Sequence, residues 1–129
     1  MAEILNILSN IGDATFAVDY QQRIVLWNTA AETLFGISTA EALGQPCWQL
    51  LQGETPDGRP FCGPGCPILD ALHHNQPVRA FHLLVNGPAQ KRLLTTISTL
   101  FVLPDPDNAA ALVHIQCLPE AHSQWPEPL

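Results

Sequence analysis

The amino-acid sequence predicts an α+β fold, with one antiparallel sheet of five strands and short helices over one face of it. Two strand-like segments lie near the start of the chain, and three longer ones lie towards its end. Between the two groups, helix-capping residues and glycines follow one another closely, which indicates short helices. Strands grouped before and after a run of helices are typical of an antiparallel sheet with the helices packed on one side.

The first part of the chain predicts a helix and a hairpin. Apolar residues recur at helical spacing near the N-terminus, namely Ile4, Leu5, Leu8 and Ile11. This spacing predicts an amphipathic helix over residues 1–12. Residues 14–19 and 23–27 are rich in β-branched and aromatic side chains, and the polar residues 20–23 between them predict a hairpin turn.

Two short helices are predicted after the hairpin. Asn28 or Thr29 can cap a helix over residues 30–35, and a glutamate three residues after Thr29 fits a capping box. Gly36 follows this helix in the position where a left-handed residue commonly ends one. Ser38 has a glutamate at the same spacing, and this second helix is predicted to end at the next glycine, eight residues after Gly36.

A helical turn and a long loop come next. Residues 47–51 predict the turn, and residues 52–67 contain four glycines and four prolines, a composition that excludes regular structure. Loops of this length in compact domains are usually functional or disordered. Pro67 suits the first position of a helix over residues 67–74, which would place Cys66 at the N-cap.

The last part of the chain predicts three strands. They cover residues 78–85, 92–103 and 109–118, with turns at residues 86–88 and 104–108. Apolar side chains occur on both faces of the middle strand. We therefore expect one face to meet the helices, and the other to pack on the N-terminal helix or on a second subunit.

Length and composition indicate a single globular domain. A chain of 129 residues can form a core without disulfides, and its hydrophobic fraction of 47 % is too high for a disordered protein. The net charge of −7 and the lack of any basic cluster beyond Lys91-Arg92 argue against a nucleic-acid partner. No apolar run is long enough to span a membrane. The N-terminus lacks the basic start of a signal peptide, so a cytoplasmic location is expected.

Residues 14–44 resemble the opening of a PAS domain. The matching residues are Ile24–Asn28, Ala30, Ala31, Glu32, Leu34–Ser38 and Glu41–Gly44. Ile37 stands where tyrosine is common in the family, and the order of elements fits the family over residues 4–118. The resemblance implies a sensory domain at residues 13–119, and the proline-rich composition after it predicts a flexible tail or linker stub at 120–129. It also implies a ligand pocket between sheet and helices and a homodimer formed through the N-terminal helix.

The segment rich in cysteine resembles a subgroup of PAS domains in which a cysteine, an aromatic residue and a Cys-rich loop precede a Cys-Pro pair. The matching residues are Gly44, Cys47, Trp48, Leu50, Cys62, Cys66 and Pro67. Three residues separate the last two cysteines here, where two are common. The resemblance implies that the domain senses redox state, oxygen or metal through a Cys-ligated iron–sulfur cluster or zinc ion at Cys47, Cys62 and Cys66.

The residues themselves leave three interpretations of these cysteines open. The glycines between Cys62 and Cys66 permit a tight turn whose amides can face a sulfur. A helix N-cap at Cys66 would lower the pKa of its thiol and favour thiolate, the form that binds metals and reacts. The spacing matches no standard zinc-finger pair. A metal or cluster site, a thiol–disulfide switch and three small buried apolar side chains all remain possible.

A site with four ligands needs one more donor, and two residues are equal candidates. Cys117 shares a face of the last strand with Val113. His73 shares a helix face with Leu69, so it is predicted to lean inward. His74 is expected to face solvent.

The sequence leaves other functions open beside a Cys-ligated sensor. His73 or His74 could be the axial ligand of a haem, or the domain could be a cofactor-free module for dimerisation and protein interaction. No Ser-His-Asp order, phosphate-binding glycine loop or paired-histidine helix stands out, so we do not expect an enzyme. The motif of a flavin photosensor is not found either. The signal is expected to pass to an output domain or to a separate signalling partner.

Overall fold

The computed structural model describes residues 12–101 and 111–117. The predicted N-terminal helix, the predicted turn at residues 104–108 and the tail at residues 120–129 lie outside these described residues.

Five antiparallel strands form one sheet, as the sequence predicts. They are β1 Ala14–Val18, β2 Ile24–Trp27, β3 Phe81–Asn86, β4 Arg92–Phe101 and β5 Ala111–Cys117. Their order across the sheet is β2-β1-β5-β4-β3, so the first and last strands lie side by side at its centre. Strand β3 begins three residues later than predicted, at Phe81 instead of residue 78.

Four short helices lie between the two groups of strands. They are α1 Thr29–Phe35, α2 Thr39–Ala42, α3 Cys47–Leu51 and α4 Pro67–His73. A single 3₁₀ turn at Pro88–Gln90 connects β3 to β4. Within the part of the chain that the structure describes, no helix has the length and apolar character needed to cross a membrane.

The first helix is capped by Asn28. The Oδ1 atom of Asn28 accepts hydrogen bonds from the backbone amides of Ala31, at 2.9 Å, and Thr15, at 3.0 Å. The predicted capping box at Thr29 is therefore wrong. Its intended partner, Glu32, instead accepts a bond from the first amide of α2, at 2.7 Å, and so links the two helices.

The remaining helix ends follow the sequence closely. Gly36 ends α1 with a φ of 70°, a left-handed conformation that glycine adopts without a steric penalty. The predicted capping box at Ser38 and Glu41 is present at the start of α2. Helix α2 ends before Gly44, as expected.

The helices cover one face of the sheet. Phe16, Trp27 and Phe35 pack in series, with ring centroids 5.6 Å and 5.0 Å apart. On β4, Ile97 is buried on this face, whereas Leu94 and Leu100 on the opposite face are 39 % and 57 % exposed. The sheet therefore has a core side and a side that carries two exposed leucines.

Candidate functional site

The Cys-rich loop between α3 and α4 is hydrogen-bonded along its length. The carbonyl of Gly53 accepts bonds from the amides of Phe61 and Cys62, both at 3.0 Å. Glu54 pairs with Leu84 on the edge strand β3 through two backbone bonds of 2.9 Å and 2.8 Å. The sequence predicts a loop without regular structure, and the structure adds one isolated bridge, between Glu54 and Leu84, that fixes it to the sheet.

Arg92 holds the first part of this loop. Its guanidinium donates to the carboxylate of Glu54 at 2.7 Å, to the carbonyl of Gln52 at 2.9 Å and to the side chain of Asn86 at 2.7 Å. Both side chains of the ion pair with Glu54 are about one-third exposed, so the pair adds little to the free energy of unfolding. Its main effect is to position the loop. Arg92 therefore ties the loop to both β3 and β4.

Gln22 holds the second part of the loop. Its Nε2 atom donates to the carbonyl of Gly63 at 3.1 Å and to the sulfur of Cys66 at 3.4 Å, and its Oε1 atom accepts from the amide of Gly65 at 3.0 Å. The backbone carbonyl of Gln22 accepts from the amide of Cys47 at 2.8 Å. One buried residue in the β1–β2 turn thus contacts both segments that carry cysteines.

Helix α4 begins as the sequence predicts. Cys66 is its N-cap residue and Pro67 its first residue, although the Cys66 side chain makes no capping hydrogen bond. Its sulfur accepts from Gln22 instead. The helix start therefore serves to place this sulfur beside the loop and the β1–β2 turn.

Three of the four cysteines line one cavity between the sheet and helices α3 and α4. Cys47, Cys62 and Cys66 contribute to its wall, together with apolar side chains of the sheet and of α4. The cavity has a volume of about 60 Å³. The fold thereby brings together cysteines that lie up to 19 positions apart in the sequence.

The wall of the cavity has very little polar character. No lysine, arginine, histidine, aspartate or glutamate is among the described residues that line it. Thr99 lines it from β4, and the Thr99 hydroxyl oxygen is buried without a hydrogen-bond partner among the described residues. An unpaired buried hydroxyl costs about 1–3 kcal/mol. The cavity therefore offers three sulfurs and one free hydroxyl in apolar surroundings.

Burial keeps two of the thiols protonated at neutral pH. Desolvation, with smaller contributions from negative charge on Cys66 and Cys62, raises the pKa of Cys47 to about 12. Desolvation also raises the pKa of Cys62 to about 11, against the opposing effects of the Gly53 backbone and Arg92. These mutual effects show that the three sulfurs lie within electrostatic reach of one another.

The three sulfurs are not drawn together around a common centre. Among residues 12–101 and 111–117, no three His, Cys, Asp or Glu side chains are arranged to hold a metal ion. All four cysteines are free thiols. The arrangement is a set of neighbouring thiols on one wall, and a shared ligand would require them to move closer.

Neither candidate for a fourth donor lines the cavity. Cys117 lies at the exposed end of β5, opposite Thr95, in a separate groove beside α1. His73 is exposed and packs against the ring of Tyr20, at 5.7 Å between centroids. The prediction that His73 leans inward is wrong, because Leu72 is the residue of that turn that enters the core. His74 faces solvent as predicted.

The geometry does not fit haem. Cavities for drug-sized ligands usually measure about 300–1,000 Å³, several times the volume present here. Neither of the predicted axial ligands, His73 or His74, lines the cavity. The three thiols do fit the donor chemistry of zinc or an iron–sulfur cluster, which favour cysteine sulfur. Such sites usually have four protein ligands, and the described cavity wall contains three cysteines.

Sequence reasoning missed Gln22 and Thr99. Gln22 lies in a polar turn beside another glutamine, and only the fold distinguishes the two. Thr99 is one of several threonines and serines on an alternating strand. No signal in the sequence marks either of them.

Comparisons with known proteins identify the fold. A family model described as the PAS fold matches residues 2–119. A comparison with curated proteins finds none that matches.

Three solved structures illustrate the likeness. A PAS domain from Desulfitobacterium hafniense aligns with a TM-score of 0.66 at 16 % identity, over 88 % of this chain and 99 % of that one. A LOV protein of Rhodobacter sphaeroides gives 0.68 at 19 % identity, over 93 % and 67 %. The PAS domain of nitrogen regulation protein NR(II) from Vibrio parahaemolyticus gives 0.58 at 20 %, over 89 % and 97 %. At these identities the likeness concerns the fold alone.

Alkaline conditions should destabilise the protein through the buried thiols. An unfolded thiol with a pKa near 9.0 loses its proton before the folded Cys47 and Cys62, whose pKa values are about 12 and about 11. Stability from these thiols is therefore complete below pH 9 and declines as pH rises towards 11. Urea unfolding of wild type and of Cys47→Ala/Cys62→Ala between pH 8 and pH 11 should show a shallower decline in the variant. An identical pH dependence in both proteins would contradict the burial of these thiols.

Replacing Gln22 should loosen the loop that carries Cys66. Gln22→Leu removes the three side-chain hydrogen bonds to the loop and leaves the backbone bond to Cys47. We expect a loss of about 2 kcal/mol in the free energy of unfolding, measured with urea. Gln21→Leu is the matched control, since Gln21 is exposed, and it should change stability by less than about 0.5 kcal/mol. Equal effects of the two substitutions would show that the Gln22 side chain has no special role.

Proposed function

Because the chain belongs to the PAS fold family, we propose that it is a sensory domain whose signal-receiving element is the cavity lined by Cys47, Cys62 and Cys66. One observation carries the proposal: three of the four cysteines line the same apolar cavity, and the fourth lies elsewhere. The signal is a thiol-binding species or an oxidant, acting at the sulfurs.

The family supports a sensory role over a catalytic one. PAS domains are generally sensory or regulatory, and the solved structures of similar fold include a fungal LOV domain photoreceptor and a PAS domain of a nitrogen regulation protein. The cavity of this chain offers sulfur ligands and one hydroxyl, without a charged acid or base. Cysteine sulfur is a ligand that soft metal ions prefer, and thiols can also be oxidised.

An iron–sulfur cluster or a zinc ion is one form that this site can take. Cys47, Cys62 and Cys66 would hold it, with a fourth ligand from outside the described cavity wall. A cluster would supply one-electron redox chemistry, and zinc would supply a structural link between the loop and α3. In either case this chain's residues must give up thiol protons and draw the three sulfurs together.

Gln22 is the route by which a change at the sulfurs reaches the sheet. Any ligand or oxidation that moves Cys66 must break or shift its 3.4 Å hydrogen bond from Gln22. Gln22 lies in the turn between β1 and β2, and its carbonyl also holds the start of α3 through Cys47. A change in the loop would therefore alter the turn at one edge of the sheet.

The sheet would pass this change to a partner. Leu94 and Leu100 expose apolar surface on the face away from the helices, which supports a homodimer through that face together with the N-terminal helix. An output domain or a separate signalling protein would then respond to the change in the dimer. A cytoplasmic location accords with this scheme, since a reducing compartment keeps the thiols available.

Substitution of two cavity cysteines should abolish metal binding or the redox response of the thiols. We expect anaerobically purified wild type to retain iron or zinc, or to show a reversible, redox-dependent change in its thiol titre. Cys62→Ser/Cys66→Ser should lose either property, because two of three sulfurs are removed, and Cys117→Ser should keep it. Elemental analysis, visible absorbance and thiol titration measure these properties.

Two results would contradict the proposed function. One is unchanged metal content in Cys62→Ser/Cys66→Ser. The other is a metal-free wild type whose cavity thiols do not change with redox state.

A further inference from the structure

The cavity restricts the charge of what it can bind. Three thiolates around a divalent metal ion carry a net charge of −1, and burying a charge without a partner is costly. No lysine, arginine or histidine is among the described lining residues. Arg92, whose charge reaches Cys62, is already paired with Glu54. A ligand that forms a neutral complex with three sulfurs suits these surroundings best.

The cavity also restricts the size of its ligand. A cavity needs about 10–15 Å³ on this measure to hold one water molecule, so the available volume of about 60 Å³ accommodates about four to six water-sized groups. A solute of about four non-hydrogen atoms therefore fits. The unpaired hydroxyl of Thr99 can form a hydrogen bond with a ligand that carries hydroxyl groups as that ligand enters the cavity.

We propose that the cavity binds the neutral oxyacid of a trivalent, sulfur-seeking element, with arsenous acid as the representative ligand. This inference rests on the proposed function, because it assigns a ligand class to the same cavity. Arsenous acid is neutral, has four non-hydrogen atoms and exchanges its hydroxyl groups for thiols. Antimony in the same oxidation state has the same chemistry.

The binding reaction balances without any redox partner. Arsenous acid and the three thiols of Cys47, Cys62 and Cys66 give one arsenic trithiolate and three water molecules. Three arsenic–oxygen bonds break and three arsenic–sulfur bonds form, and each thiol proton leaves with a hydroxyl group as water. Arsenic stays trivalent, and no net charge enters the cavity.

The loop can supply the movement that the reaction needs. The three sulfurs do not converge in the structure, so at least one has to move inward. Gly63 and Gly65 flank the turn before Cys66, and no neighbouring atom of the described residues lies within 4 Å of the place where a Cβ would lie on either of them. Free space around this turn lets Cys66 shift, at the expense of its contact with Gln22.

Native mass spectrometry of the reduced protein with sodium arsenite tests the inference. Wild type should gain the mass of one arsenic atom less three hydrogen atoms, since three thiols replace three hydroxyl groups. Cys117→Ala should give the same adduct. Single variants Cys47→Ser, Cys62→Ser and Cys66→Ser, which keep similar shapes, should lose this adduct. Circular dichroism verifies that each variant is folded.

The outcomes separate this inference from the proposed function. A wild-type adduct that retains a hydroxyl group on arsenic, or an adduct that depends on Cys117, would overturn the three-thiol site. If arsenite fails to bind while zinc, iron or oxidation acts at the three cysteines, only the ligand class assigned here is wrong. If none of these acts there, both proposals fail.

Discussion

The hydrogen bonds of Gln22 are the interaction on which the arrangement of the site depends. Its side chain holds the turn before Cys66 through three contacts, and its backbone carbonyl holds the amide of Cys47. Gln22 has a φ of 65°, in the left-handed region that non-glycine residues adopt at some cost. The hydrogen bonds from Gln22 to the loop offset that cost. Without them, the turn before Cys66 would lose its link to the β1–β2 turn, and the start of α3 would lose one of its links to that turn.

The lining of the cavity follows from this arrangement and from close packing nearby. At Gly53, an added Cβ would lie 2.5 Å from the sulfur of Cys62, so only glycine permits the loop to lie so close. The loop covers the thiols, and the resulting desolvation raises the pKa of Cys47 and Cys62 enough to keep both protonated at neutral pH. Such protonated thiols are poorer nucleophiles than an exposed, reactive cysteine, because the thiolate is the nucleophilic form.

The sequence predicts the fold well because the relevant signals are local. Alternating strands, the Ser38 capping box, Gly36 and the Pro67 helix start each depend on a few adjacent residues, and the order of elements then specifies the sheet. The site depends on contacts between distant segments, so sequence alone predicts it less well. Spacing identified the cysteines, but it could not place His73 outside the core or distinguish Gln22 from Gln21.

Residue-resolved hydrogen exchange of two backbone amides tests most directly whether Gln22 joins the thiol loop to the sheet. The amide of Gly65 donates to the Gln22 side chain, and the amide of Cys47 donates to the Gln22 carbonyl. If Gln22 joins the two segments, both amides should exchange through one opening event, with similar opening free energies that decrease in parallel with denaturant. Free exchange at Gly65 beside full protection at Cys47 would show that the loop moves independently of the sheet and would contradict this account.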